Sequence, residues 1–361
     1  MPELSDTGTS RTDDVWGALD TTPGAIESAL RRLLKHRHEE TASYVPARVI
    51  NLVVVCDREW RGEIENRLDR ISQYHPSRTI LCAVEPGRTT LDAIATVSGD
   101  DIPGPSGFVL GRERVAIACG AHHLEHLDSI VDPLLVPDLA TVVWSPHGHP
   151  EAVDSLLHIA QVVMLDSLDD PDVPVALRRA SHLAQRARVV DLSWLRSTPW
   201  RERVAGAFDP PDRREELHTI EAVTVRHRPD SAAAGLMLLG WLSSRLGWRP
   251  SQMVARAGIH TGTAHGRRQE VRLTVEPAPE QGVPGLASIQ VDTAYGSGIR
   301  LERGDGGLTE RRRHRDGTET EWTVLGSSRG EGGILGEGIR QALLRDRTYG
   351  PALAAATHMT T

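Results

Sequence analysis

His75, Ser77 and Arg78 fall in close succession in "QYHPSRTI" (73–80), a grouping that could hold a nucleophile and its base. Such chemistry needs the base at hydrogen-bond distance from the serine and a third group that orients the base. A His and a Ser two residues apart in one turn do not supply that geometry. Pro76 gives the stretch a simpler meaning: its ring fixes φ and drives His75 out of the α region, so a helix must stop there. The run is read as a turn, and no catalytic residue is assigned.

Metal and phosphate chemistry are tested in the same way. His122 and His126 in "AHHLEHLD" stand four apart, and His147 and His149 follow in "SPHGHP". The glutamate of an HExxH zinc motif is missing, so these are read as exposed histidines and no metal is assigned. Cys56, Cys82 and Cys119 are odd in number, widely spaced and each set in an apolar run, as suits small buried side chains in a reducing compartment. A nucleotide site would place glycines in the first strand-to-helix turn. Here that turn is "VCDREWRGE", with Asp57 and Glu59 where an anion would sit. The Gly-rich stretches "HTGTAHG" and "RGEGGILGEG" match no phosphate-loop spacing and read as flexible loops, so no cofactor is expected.

Two arginine-rich runs remain. In "ERRRHR" (310–315), pairing across a hairpin turned at Asp316-Gly317 would set Arg312 opposite Glu321 and His314 opposite Glu319, an ion-paired solvated strand. In "DLSWLRSTPWRERV", Thr198 is placed to cap and Pro199 to open a helix whose Trp200, Val204 and Phe208 share one face. Trp194 and Trp200 alternate there with Arg196 and Arg201, side-chain types enriched at binding hot spots. The two arginines are expected at a surface, and these four residues are the candidate partner-binding set.

The elements that must carry these residues follow from periodicity. Trp60, Ile64, Leu68, Ile71 and Tyr74 recur at helical spacing over 59–74, with Asp57 as cap. "VINLVVVC" (49–56) and 79–84 are continuous apolar runs, the pattern of strands covered on both faces. Thr22 caps and Pro23 opens a helix over 23–39. Strands follow at 91–98, 107–110 and 113–119, a helix near 121–131, a strand at 139–145, a helix near 150–158 and a strand at 161–167. This alternation predicts an α/β N-terminal domain with a mixed layered sheet over 23–168, after a disordered lead-in over 1–22. Residues 169–361 are read as a helical connector (172–187, 199–208) and an α+β C-terminal domain. That domain holds an antiparallel sheet, a helix over 230–246 capped by Asp230 and stopped at Gly247, and closing helices at 333–345 and 350–357.

With 361 residues, 41 basic and 49 acidic side chains and a net charge of −8, the chain can bury a sizeable core and is no general nucleic-acid binder. No basic start leads an apolar stretch and no run is long enough to span a bilayer, so a cytoplasmic protein is expected.

The landmarks "NLVVVCD", "HPSRTI", "SIVDPLLVPDLATVVW", "QVVMLDS", "DLSWLRSTPWRE" and "GLMLLGWLSSRLGW", taken in order, resemble the OpcA family of glucose-6-phosphate dehydrogenase assembly proteins of actinobacteria and cyanobacteria. The likeness runs over about 25–250, with weaker agreement in "ILGEGIRQALLRDRTYGPAL". Where the family has a double Trp before Pro, this chain has Trp144 alone, and Ala140 stands where a second Pro is usual. The cysteines tied to redox control in cyanobacterial members are not matched to Cys56, Cys82 or Cys119, so the resemblance does not carry redox regulation over. The resemblance implies a non-catalytic assembly factor and allosteric activator in the oxidative pentose phosphate pathway. Its partner would be the dehydrogenase oligomer, with Trp194, Arg196, Trp200 and Arg201 as contacts. The alternative is a sugar-phosphate-binding enzyme or metabolite sensor using a cleft between the halves.

Overall fold

The computed structural model describes residues 13–40, 44–46, 48–72, 75–101, 109–267, 269–304, 306–325, 330–342 and 344–361. Tyr74, expected on the stripe of the 59–74 helix, lies outside them. The chain divides into two units, Met1–Val163 and Met164–Thr361.

In chain order the first unit holds β1 (Asp13–Ala18), α1 (Pro23–Glu40), β2 (Tyr44–Pro46), β3 (Ile50–Asp57), α2 (Arg61–Ser72), β4 (Ser77–Val84), β5 (Asp92–Asp101), β6 (Val109–Cys119), α3 (Leu127–Val131), β7 (Ala140–Trp144), α4 (Pro150–Leu156) and the start of β8 (Val162–Leu165). The strand order is β1-β5-β6-β4-β3-β7-β8. Strands β6, β4, β3 and β7 run parallel, and β5 and β1 join antiparallel, so the sheet is mixed as the alternation of elements predicts. The central strands are apolar on both faces because both are covered: Leu52, Val53, Val54, Val55, Ile80 and Leu81 are all buried. At the start of α1 the Thr22 hydroxyl accepts from the Ala25 amide at 3.3 Å, as expected.

Three expectations are corrected here. Residues 13–18, assigned to a disordered lead-in, form β1 along the edge of β5, with α1 packed against both strands. The strands expected at 107–110 and 113–119 are one strand, β6. Within it, Gly111 sits where a Cβ would collide with the Tyr44 ring, so the position answers a close approach. Asp57 makes no side-chain cap to the turn that follows it.

The second unit holds α5 (Val173–Leu183), β9 (Arg188–Asp191), α6 (Leu192–Arg196), α7 (Thr198–Ala207), α8 (Pro211–Arg214), β10 (Ile220–His227), α9 (Ala232–Leu246), β11 (Arg249–Pro250), β12 (Val254–Arg256), β13 (Ile259–His265), β14 (Glu270–Pro277), β15 (Leu286–Thr293), β16 (Gly298–Gly304), β17 (Gly307–Arg313), β18 (Glu319–Leu325), α10 (Gly330–Ala342) and α11 (Tyr349–Thr360). Its large sheet has the order β11-β13-β14-β10-β15-β16-β17-β18 and is antiparallel apart from the β10–β14 pair. Alternate residues Val223, Val225, Leu273, Val275, Ile289 and Val291 are buried, and α9 packs on β10 and β14. Helix α9 is apolar nearly all round and buried from Ala232 to Ser243. It ends at Gly247, whose φ of 65° is the left-handed stop expected of that residue. Asp230 does not cap it: the carboxylate pairs with Arg228.

The hairpin of β17 and β18 is shifted by one residue from the expected register. Arg311 faces Glu321, Arg312 faces Thr320 and Arg313 faces Glu319. The His314 amide bonds to the Thr318 carbonyl at 2.8 Å, so the loop is Arg315-Asp316-Gly317, with Gly317 at φ 84°. A three-residue loop moves every pairing by one relative to a two-residue Asp-Gly turn. The consequence is a change of face. Arg312, expected on a solvated strand, is 2% exposed and bonds to Glu216 at 2.8 Å and to the Ala207 carbonyl at 2.9 Å.

Candidate functional site

In an open α/β sheet, ligands bind beyond the carboxyl ends of the parallel strands, where the direction of winding changes. In the first unit that place lies between β3 and β7. Strand β3 ends at Asp57, and the Trp60 ring after it lies 5.0 Å from the ring of His147. The loop after β7 returns over this turn through His147, Gly148 and His149, with φ of 68°, 128° and 59°. Three successive left-handed residues, two of them histidines, form a strained segment that its contacts must hold. Those contacts are visible: the Ser145 hydroxyl donates to the Gly148 carbonyl, and His149 Nε2 lies 3.1 Å from Asp57. His149 Nδ1 lies 3.6 Å from Glu151, so both ring nitrogens face carboxylates.

Beside this loop, Glu85 receives Arg58 at 3.0 Å and Arg88 at 2.8 Å, and Arg88 also reaches Asp92 at 2.7 Å. The place where a pyrophosphate would rest therefore carries the carboxylates of Asp57 and Glu85. This is poor ground for a dinucleotide, as the missing glycines suggest.

The other histidines are not gathered with these. Residues 121–126 form a tighter 3-10 turn, not the α-helix expected there, so His122 and His126 do not share an α-helical face. The His122 and His123 rings lie 3.8 Å apart, tilted by 40°, and burial with the charge of His122 lowers the His123 pKa. Among the described residues, the three potential metal ligands whose donor atoms come within 4.8 Å of one another are Asp14, His36 and Glu40. Cys56, Cys82 and Cys119 are buried, and desolvation pushes their thiols up, Cys56 to about 12 and Cys119 to about 11. Thiols so high carry little thiolate. Around the opening stretch, Ser77 pairs with Thr79 at 3.1 Å and Arg78 with Glu113 at 2.6 Å.

The expectation that Arg196 and Arg201 stand at a surface is corrected. The Arg201 guanidinium lies 3.5 Å over the Trp194 ring and donates to the Trp194 carbonyl at 2.7 Å, to the Ser197 hydroxyl and to Thr198 at 3.1 Å. Burial lowers its pKa to about 10, with Asp346 acting against the fall. Arg196 bonds to Asp166 at 2.5 Å. The Trp194 indole donates to Asp346 at 2.7 Å and meets Tyr349 edge-on at 5.6 Å. Trp200, Val204 and Phe208 are buried together, as their spacing predicts. Thr198 accepts from Arg201 and does not cap α7. The arginines turn inward because an aromatic face, a carboxylate and a helix-end carbonyl await them there.

Sequence reasoning passed over Asp191. It caps α6, accepts from the Ser193 amide at 3.0 Å and the Ser167 amide at 3.2 Å, and meets the Tyr349 hydroxyl at 3.4 Å. Burial, followed by the nearby charge of Asp166, raises its pKa to about 6. The signal available was an Asp two residues before a helical Ser, a cap pattern.

Two family models match the chain in sequence: the glucose-6-phosphate dehydrogenase subunit N-terminal domain over residues 68–182 and the C-terminal domain of the same subunit over 187–353. The OxPP cycle protein OpcA of Synechococcus elongatus is 27% identical over 244 residues, covering 64% of this chain and 54% of that protein. Its namesake in Synechocystis is 32% identical over 153 residues, covering 41% of this chain and 32% of that protein. The chain thus spans about half or less of the length of these curated relatives. Among solved structures, a super-repressor mutant of Gal80p from Saccharomyces cerevisiae aligns over 81% of this chain and 82% of its own, at 11% identity and a TM-score of 0.44. That likeness carries no functional argument. Among the described residues, no helix is long and apolar enough to cross a membrane.

Proposed function

The chain belongs to the OpcA family of glucose-6-phosphate dehydrogenase assembly proteins, and on that premise we propose that it binds the dehydrogenase in the cytoplasm and favours its active oligomer, without catalysing a reaction itself. The observation that carries this reading is the ordered match to both family domains, over 68–182 and 187–353. The crevice supports it from another side: Asp57 and Glu85 stand where a hydride-transfer cofactor would need anion-binding amides. Activation then follows from differential affinity. A protein that binds the active oligomer better than the inactive one shifts the population toward it, and one that binds both equally shifts nothing. In this reading Trp194, Arg196, Trp200 and Arg201 serve partner binding by holding α6 and α7 rigid, so the surface those helices present meets the dehydrogenase at little entropic cost.

The test is steady-state kinetics of the dehydrogenase with and without the chain, beside light scattering of the mixture. The chain alone is expected to give no turnover of glucose 6-phosphate with NADP. Added to the dehydrogenase, it is expected to raise turnover or apparent substrate affinity and to form a larger particle. Turnover by the chain alone, or unchanged kinetics at saturating chain, overturns the reading.

A further inference from the structure

Strands β4, β6, β5 and β1 share a face whose character changes along its length. Toward the carboxyl end of β6 that face carries Ala116 and Ala118, with Ile94 and Gly17 beside them. Toward the other end it carries Arg112 and Arg114. Register fixes their neighbours: Arg114 lies between Thr79 of β4 and Thr96 of β5, and Arg112 lies opposite Ser98, which in turn faces Asp13 of β1. Ser77, two residues before Thr79, is on the same side of β4. Glu113 also borders this region, but its carboxylate bonds to Arg48 and Arg78.

These side chains line a cleft of about 240 Å³. Ser77 and Thr79 are 9% and 6% exposed, yet the hydrogen bond between them uses only one of their two hydroxyl protons. Arg114 is met from α2 by Asp69. A carboxylate can occupy two of the five guanidinium donors and leaves the others to a further acceptor. Two guanidinium groups, four hydroxyls and the carboxylates of Asp13 and Asp69 thus face one small volume.

We propose that this cleft binds a small polyhydroxylated anion of hexose-phosphate type. The arginines match a phosphate or carboxylate group, and the hydroxyls and aspartates match a run of ligand hydroxyls. The volume falls below that of pockets for drug-sized ligands, which excludes a dinucleotide. Binding is a property of this chain alone, so the test needs no dehydrogenase and stands or falls apart from the partner reading.

The experiment is isothermal titration of the full chain with glucose 6-phosphate, glucose and inorganic phosphate in turn. Glucose 6-phosphate is expected to bind at least tenfold more tightly than either fragment. Arg112→Ala and Arg114→Ala are each expected to weaken it at least tenfold. Thr96→Val, which keeps shape and removes one hydroxyl, is expected to weaken it severalfold and serves if an arginine variant fails to fold. No heat with glucose 6-phosphate at millimolar concentration overturns the proposal. So does equal affinity for inorganic phosphate, which would mark an adventitious ion only, and so does binding indifferent to these substitutions.

Discussion

Glu113 in the first unit and Asp191 in the second are both carboxylates almost wholly removed from water, 2% and 1% exposed, and the two units treat them in opposite ways. Glu113 receives two cations: Arg48 bonds one oxygen through Nε at 2.5 Å, and Arg78 bonds the other at 2.6 Å while also reaching the Leu134 carbonyl. Among the described residues, no cation bonds to Asp191. It is held by two backbone amides and a phenol, with the negative Asp166 nearby. Neutral donors offset less of the cost of burying a charge than guanidinium groups do. The carboxyl at 191 accordingly rises to about 6 from its ordinary 3.8. A buried acid can thus be a fixed strut or a group close to titration, depending on whether a cation or a dipole answers it.

The comparison breaks most directly at Glu113. Glu113→Ala leaves two half-buried guanidinium groups without their carboxylate, and a loss of about 3–5 kcal/mol is expected in urea unfolding followed by tryptophan fluorescence. A loss below about 1 kcal/mol would mean the triad contributes no more than an exposed pair.

At Asp191 the comparison sharpens with pH. The folded value lies above the free one, so its stabilisation is fully present below about pH 3.8 and is lost as pH rises through about 6. The gap is worth about 3 kcal/mol. Asp191→Asn keeps an oxygen for the Ser167 and Ser193 amides and removes the titration. Unfolding free energy between pH 4 and 7 is expected to be flatter in that variant than in the parent, and equal slopes would refute the assignment.

The smallest effect is expected where water answers the charge. Arg311 pairs with Glu321 at 2.6 Å with both side chains about half exposed, and Arg311→Ala is expected to change stability by less than about 0.5 kcal/mol. A larger loss in the same denaturation would show that the outer face of the hairpin is covered.

What could be read from the residues depended on whether the signal was local. Strand β3 and helix α9 were legible because continuous apolar runs and a terminal Gly247 suffice to mark them. Strand β1 was hidden because its inward side, Asp14, Trp16 and Ala18, makes a weak alternation whose partner, β5, lies far along the chain. The need for Gly111 could not be read locally because the ring that requires it comes from Tyr44. Arg312 changed face through one extra loop residue, which no charge count reveals. Arg201 lies on Trp194 while Arg196 bonds to Asp166, because the direction of a guanidinium depends on where a carboxylate and a tryptophan face come to lie. The polar cleft was spelled as period-two pairs, Ser77 with Thr79, Thr96 with Ser98 and Arg112 with Arg114, on strands that only the fold brings together.

Helix α9 carries one more consequence, for the order of events during synthesis. Gly240 exists in contact: a Cβ there would strike the Ala352 carbonyl, so α11 lies directly against the α9 backbone. The two segments are separated by more than one hundred residues of sequence. While a ribosome is still making the intervening sheet, the side of α9 that α11 will cover is apolar and bare. At translation speeds of about 5–20 residues per second that interval lasts several seconds. A nascent chain with a bare apolar helix of this kind is a substrate for chaperones, and closure by α11 is what ends its exposure.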